Sequence, residues 1–318
     1  SILIFAMMLS LGVASFANIA NKNTAESVNA TNTNGIEVDV PGAYLMEAST
    51  GKVLYSKNEY VGASPASVTK IMTLLLVCEA LSDGMISLDD KASISAYAAS
   101  MGGSQVFLEE GERMSVEELI KCTVIASAND AAVALAELVS GNEGAFVNKM
   151  NERARSLGLK NTAFENVTGL DDTTTNHYSC PADIATMSRE LLKHDIVLKY
   201  SSLWQDTIRD GEFTLTNTNR LVRYYDGCNG LKTGSTDKAG FCVSTTAKRG
   251  NMQLIAVVMG AESTEERNAC ARAMLDFGFD NFESLKIADA GGFSYSLAAV
   301  GGKRDAVTLT NAEELRIT

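Results

Sequence analysis

Residues 66–81 (ASVTKIMTLLLVCEAL) constrain this chain more than any other stretch. The run follows Pro65, which suits the first turn of a helix, and it is apolar on nearly every side, as befits a helix enclosed by other elements. Yet a lysine sits on its first turn. Burying an ammonium is costly unless the group has partners or a task, so Lys70 marks this helix as functional as well as central. Ser67 lies three residues earlier and shares its face. A hydroxyl becomes a nucleophile only when a base takes its proton, and a lysine can be that base only when burial and a nearby cation lower its pKa.

Two further elements complete this chemistry. Ser127-Ala128-Asn129 interrupts an apolar-periodic helical block over 115–138, so hydrophobic flanks carry a polar turn inward, where its side chains need partners. Lys232-Thr233-Gly234-Ser235 lies on a strand and supplies the second cation. Neither short pattern is specific alone, since Ser49-Thr50-Gly51-Lys52 repeats S-x-x-K and Ser27-Val28-Asn29 repeats S-x-N. The former is a decoy: residues 43–47 and 52–55 are short apolar strands flanking a turn in which Gly51 supplies a φ > 0 position, and i and i+3 share no face there.

With 318 residues and 46% hydrophobic content the chain can bury a large core, and its length suggests roughly two domains. A net charge of −12 without a cluster of Lys and Arg argues against a nucleic-acid partner. Six scattered cysteines without a C-x-x-C pair, and only two histidines, argue against a zinc site, so neither a metal nor another cofactor is expected. The thiols read as buried singles, with one or more disulfides as the alternative. Residues 2–17 form an uncharged apolar run ending in small residues, the pattern of an export signal cleaved after Ala17, with a retained membrane anchor as its rival. The chain begins at Ser1 without the basic residues that usually precede such a run, so we expect a leader lacking its start. An Asn- and Thr-rich linker follows over 18–35.

A folded domain is expected over 36–282. Helices read at 146–157, 181–192 and 267–277, a loop-rich stretch at 161–177, and strands at 240–247 and 254–260 joined through Arg249-Gly250-Asn251. Strands at both ends with helices between them imply an α+β fold, an antiparallel sheet covered by helices. From 283 onward β-like pieces at 294–300 and 306–310 alternate with glycine pairs. Residues 283–318 are too few for a full β domain and read as the beginning of a truncated β-rich one.

Taken in order, Pro65-Ala66-Ser67-Val68-Thr69-Lys70, Gly102-Gly103-Ser104, Ser127-Ala128-Asn129-Asp130-Ala131-Ala132, Gly169-Leu170-Asp171-Asp172, His177-Tyr178-Ser179 and Lys232-Thr233-Gly234-Ser235-Thr236 with Ala239-Gly240 resemble the serine-type D-Ala-D-Ala carboxypeptidases, the low-molecular-mass penicillin-binding proteins of bacteria. The resemblance spans roughly residues 36–310. It implies a sheet domain with an all-helical lobe, and removal of the terminal D-alanine from peptidoglycan stem peptides ending in D-Ala-D-Ala. β-Lactams would be covalent inhibitors, and the enzyme would act outside the cytoplasmic membrane in wall remodelling and cell shape.

The resemblance also implies roles for single residues. Ser67 would be the nucleophile, Lys70 its base, and Ser127 the relay to the departing D-alanine. Asn129 would hold the substrate's backbone amide, and Lys232, Thr233 and Ser235 its terminal carboxylate. The N–H groups of Ser67 and Ser235 would form the oxyanion hole, and Gly234 would let the substrate backbone lie close. Members of the family often end in an amphipathic membrane-anchoring helix, which leaves attachment to the membrane surface open here.

The competing readings are a peptidoglycan-binding scaffold on the same fold and a class A β-lactamase. The first has no reason to keep a desolvated lysine pair. The second needs a glutamate-activated water, and Glu165-Asn166 lies in a segment of carboxypeptidase pattern. His177 reads as a loop-fixing residue and His194 as a surface one.

Overall fold

The computed structural model describes residues 35–298 and 306–318. The export signal expected over 1–17 and nearly all of the linker lie outside the described residues. A five-stranded antiparallel sheet runs in the order Val53–Lys57, Gly42–Glu47, Met252–Ala261, Gly240–Arg249, Cys228–Thr236. Along its central strands the two-residue period divides apolar side chains between two cores. Leu45, Leu254 and Val258 meet Ala271, Met274 and Leu275 of the helix Thr264–Asn281 on one face, while Tyr44, Met46, Ile255 and Val257 face the helical lobe on the other. With both faces covered, the strands read as continuous apolar runs.

In the lobe the helix Lys70–Ser82 is surrounded by Val116–Ile125, Asn129–Ser140, Glu143–Ser156 and Pro181–Leu191. The fold is thus the α+β arrangement expected. The helix over 66–81 differs in its first turn, where Ala66–Thr69 is a 3-10 turn and the α-helix begins at Lys70. Two helices start earlier than their apolar periodicity shows, because Asn142 and Ser263 accept the N–H groups of Ala145 and Glu266 and so cap Glu143–Ser156 and Thr264–Asn281.

Two small strand pairs have no counterpart in the sequence reading: Lys91–Ser93 with Arg113–Ser115, and the hairpin Gln205–Ile208 with Phe213–Thr216. Asp210-Gly211, with φ of 53° and 94°, turns that hairpin, and Asp-Gly is the signal that would have found it. Beyond 283, Leu285–Ala288 pairs with Leu315–Ile317 and Ser294–Ala298 with Ala306–Thr310. Among the described residues no helix is long and apolar enough to cross a membrane.

Candidate active site

Ser67 stands on the 3-10 turn where the helical lobe meets the sheet. Two glycines let neighbours close on that turn: a Cβ on Gly169, whose φ is +85°, would lie 1.8 Å from the Ala66 carbonyl oxygen, and one on Gly234 would lie 2.7 Å from the Ser67 nitrogen. The sequence assigns Gly234 to the approach of a substrate backbone. The approach it makes in the structure is to the turn that carries Ser67. Ala66 itself has φ +46°, a left-handed conformation held by the packing around it.

Lys70, fully buried, donates from Nζ to Ser67 Oγ at 2.9 Å, Asn129 Oδ1 at 2.6 Å and the Thr168 carbonyl at 2.7 Å. The last two partners can only accept. When Lys70 is neutral its two N–H bonds therefore go to Asn129 and Thr168, and the lone pair is left for the Ser67 hydroxyl. Burial, then the charge of Lys232, holds Lys70 well below the ordinary lysine value, with Asp130 pulling weakly the other way. The arrangement makes Lys70 a proton acceptor aimed at Ser67.

Ser127 occupies the polar turn between Val116–Ile125 and Asn129–Ser140 with φ +63°. The turn also holds the loop opposite. The Asn129 N–H donates to the Ser104 carbonyl at 2.7 Å, its Nδ2 to the Gly102 carbonyl at 2.7 Å, and Asp130, buried, accepts from Val106 and Leu108. Asn129 thus positions Lys70 and this loop, and one lone pair of Oδ1 remains for a substrate N–H.

Cys228–Thr236 is the terminal strand of the sheet, so alternate N–H and C=O groups point away from Gly240–Arg249 toward the cleft. Lys232 is buried, and its Nζ donates to the Thr233 carbonyl at 2.8 Å. Burial, then the nearby Arg267, brings Lys232 down to about 7. Ser64 and Thr236 both donate to Asp171 Oδ2, at 2.8 and 2.6 Å, which ties the segment leading to Ser67 to the end of this strand.

Ser67, Ser104, Ser127, Thr233, Ser235 and Arg267 line one cleft of about 730 Å³. Gly234 lines it as well, while Lys70 and Asn129 are joined to Ser67 by the hydrogen bonds above and Lys232 reaches Lys70 through its charge. The S-x-x-K decoy is elsewhere: Ser49 hydrogen-bonds Glu47 in the first hairpin. The S-x-N decoy at 27–29 lies outside the described residues.

Sequence reasoning missed Arg267, whose guanidinium is buried beside the cleft with its pKa lowered by burial to about 10. Its one signal is a cation in the first turns of a helix, against the macrodipole. The part played by the Thr168 carbonyl was missed too. Among the described residues no group of three or more His, Cys, Asp or Glu side chains is arranged to hold a metal ion.

His177 is held away from this chemistry. Its Nδ1 accepts from the Glu165 N–H at 3.0 Å, so Nε2 carries the proton and donates to Thr69 Oγ1 at 2.8 Å. Burial pushes its pKa down to about 4, and the ring is neutral at physiological pH.

The sequence profile of D-alanyl-D-alanine carboxypeptidases matches residues 26–263. The D-alanyl-D-alanine carboxypeptidase DacF of Bacillus subtilis is 45% identical over the whole chain, which covers 79% of that protein. Penicillin-binding protein 5 of Haemophilus influenzae superposes with a TM-score of 0.79 at 32% identity, over 89% of this chain and 83% of that one. Penicillin-binding protein D2 of Listeria monocytogenes, solved with ampicillin bound, gives 0.70 at 30% identity, over 77% of this chain and 98% of that one. With a buried lysine aimed at a cleft serine, and with these relatives, the chain belongs to the D-alanyl-D-alanine carboxypeptidase family.

Proposed function

We propose that the chain removes the terminal D-alanine from peptidoglycan stem pentapeptides through an acyl-enzyme on Ser67. Lys70 takes the Ser67 proton as Oγ attacks the penultimate D-alanine carbonyl. The N–H groups of Ser67 and Ser235 receive the oxyanion, and Ser127 relays the proton to the departing amine as the C–N bond breaks. Water then hydrolyses the ester and restores Ser67. Lys232, Thr233, Ser235 and Arg267 meet the terminal carboxylate, Asn129 meets the peptide backbone, and Gly234 keeps the strand against the nucleophile. β-Lactams acylate the same serine.

An exported enzyme on the wall side of the cytoplasmic membrane, attached to its surface and acting in wall remodelling and cell shape, fits this substrate and the apolar run over 2–17. The observation that carries the reading is the Lys70–Ser67 contact of 2.9 Å, made by a lysine whose other two partners can only accept.

Ser67→Ala is expected to abolish both D-alanine release from a diacyl-D-Ala-D-Ala peptide and covalent capture of labelled penicillin, with the thermal unfolding midpoint kept. Capture that survives in this variant would remove Ser67 as nucleophile.

A further inference from the structure

The loop over 102–108 sits against the S-x-N turn, and Ser104 on it lines the cleft with Ser67 and Ser127. The fit is close: a Cβ on Gly103 would lie 2.8 Å from Asn129 Nδ2. That nitrogen donates to the Gly102 carbonyl at 2.7 Å, and with Nδ2 so engaged Oδ1 faces Lys70 and accepts from it at 2.6 Å. A loop that drew back would free the amide to turn and set an N–H against the N–H groups of Lys70.

Phe107 shows that this loop needs holding. Its φ of +56° is a left-handed conformation that a bulky residue adopts only under constraint, and its ring is 66% exposed, so packing of the ring does not impose it. The constraint comes through the backbone, from two sides. Asp130 Oδ2 accepts the N–H groups of Val106 and Leu108 at 3.1 Å each. Arg209 takes the carbonyls, with Nη1 donating to Val106 at 3.0 Å and Nη2 to Phe107 at 3.1 Å.

Asp130 belongs to the S-x-N turn itself, whereas Arg209 reaches in from the tip of the hairpin Gln205–Ile208 with Phe213–Thr216. It is anchored there on every side. Glu112 accepts from Nε at 2.8 Å and from Nη2 at 3.0 Å, the Arg209 N–H donates to Glu118 Oε1 at 3.2 Å, and the guanidinium lies 5.6 Å from the Phe213 ring. Lys121 and Asp206, 2.9 Å apart, tie the same hairpin to the helix Val116–Ile125. Arg209 and Asp210 both have φ of 53°. A turn alone would be better served there by glycine or asparagine, so what accounts for an arginine is the reach of its guanidinium.

We propose that Arg209 is a positioning residue for acylation: by holding the Val106 and Phe107 carbonyls it keeps Gly102 on Asn129, and so keeps Asn129 Oδ1 aimed at Lys70 and the substrate. The proposal rests on the acyl-enzyme reading above. Arg209 acts through the loop and Asn129, not by contact with the reacting atoms.

The test is single-turnover capture of labelled penicillin by the full chain, which separates the affinity of the first complex from the rate constant of acylation. Arg209→Met keeps an unbranched side chain beside Phe213 and loses every side-chain N–H. Acylation is expected to slow about tenfold or more, while the first complex weakens no more than about threefold. Arg209→Lys keeps a charge opposite Glu112, but one ammonium cannot fork to both carbonyls, and its rate should fall between the two. Glu112→Gln retains an acceptor oxygen for Arg209. It should lower the unfolding midpoint and leave acylation within about twofold.

A second change separates positioning from support of the hairpin. Glycine at 107 adopts the left-handed conformation without constraint, so Phe107→Gly added to Arg209→Met should restore acylation at least about threefold. It repairs no contact of the hairpin, and a residue that merely stabilised the hairpin would show no such recovery.

Acylation at the unaltered rate in Arg209→Met and Arg209→Lys overturns the proposal. So does a double variant that recovers nothing, or a loss in Glu112→Gln equal to that in Arg209→Met. Should Arg209→Met fail to fold, Arg209→Lys with and without Phe107→Gly makes the same comparison. An unaltered protein that captures no penicillin would instead overturn the acyl-enzyme reading, and this one with it.

Discussion

Burial and Arg267 bring Lys232 down to about 7, so near neutrality it is only partly charged. An incoming carboxylate favours the charged form and raises that value. Substrate capture above pH 7 should therefore take up close to one proton, and capture well below pH 7 almost none. Calorimetry of a D-Ala-D-Ala peptide binding to Ser67→Ala, in buffers of different ionisation enthalpy at pH 8 and pH 6, measures this directly. Uptake that is equal at both values, or that persists in Lys232→Ala, would assign the proton elsewhere. At this scale the sequence is informative where chemistry dictates the side chain. Ser67, Lys70 and Lys232 are legible for that reason. Thr168 and Gly102 act through backbone carbonyls that any residue carries, and Arg267 belongs to no motif, so neither contribution can be read from spacing alone.

The loop at 166–171 holds itself in shape, with Asn166 Oδ1 accepting from Thr168 and Gly169 N–H groups and Nδ2 donating to the Leu170 carbonyl at 2.6 Å. Its product is the position of the Thr168 carbonyl under Lys70. Gly169→Ala must displace this turn, because the added Cβ falls 1.8 Å from the Ala66 oxygen at a φ of +85°. Penicillin capture is expected to slow about a hundredfold, as misplacement near an ångström does, with a stability loss of about 1–3 kcal/mol. Gly158→Ala makes the control: φ there is +73°, yet nothing lies within 4 Å of the new Cβ. It should lower the unfolding midpoint slightly and leave capture unchanged. Long periodic elements were legible because their burial is one-sided or complete. The hairpin at 205–216 was not, since its strands are four residues each and largely exposed.

Across the whole molecule His177 joins the start of the central helix to the loop at Glu165. Its pKa lies near 4 when folded and near 6.5 when unfolded, so between these values the unfolded chain binds the extra proton and stability falls as pH falls. About 3 kcal/mol should be lost from pH 7 to below pH 4 through this group alone. Urea unfolding of the native protein and His177→Gln at pH 7 and 4.5 checks it, and a difference between them that does not shrink in acid removes His177 as the cause. The lysine and the terminal strand belong to separate layers of the molecule, and on the acyl-enzyme reading proposed above they must dock before a β-lactam can acylate Ser67. Capture of a labelled penicillin would then count native molecules one for one. A chain in which the sheet and the helical lobe have each formed but not yet met would stay dark in that assay, which turns the antibiotic into a clock for the last step of folding.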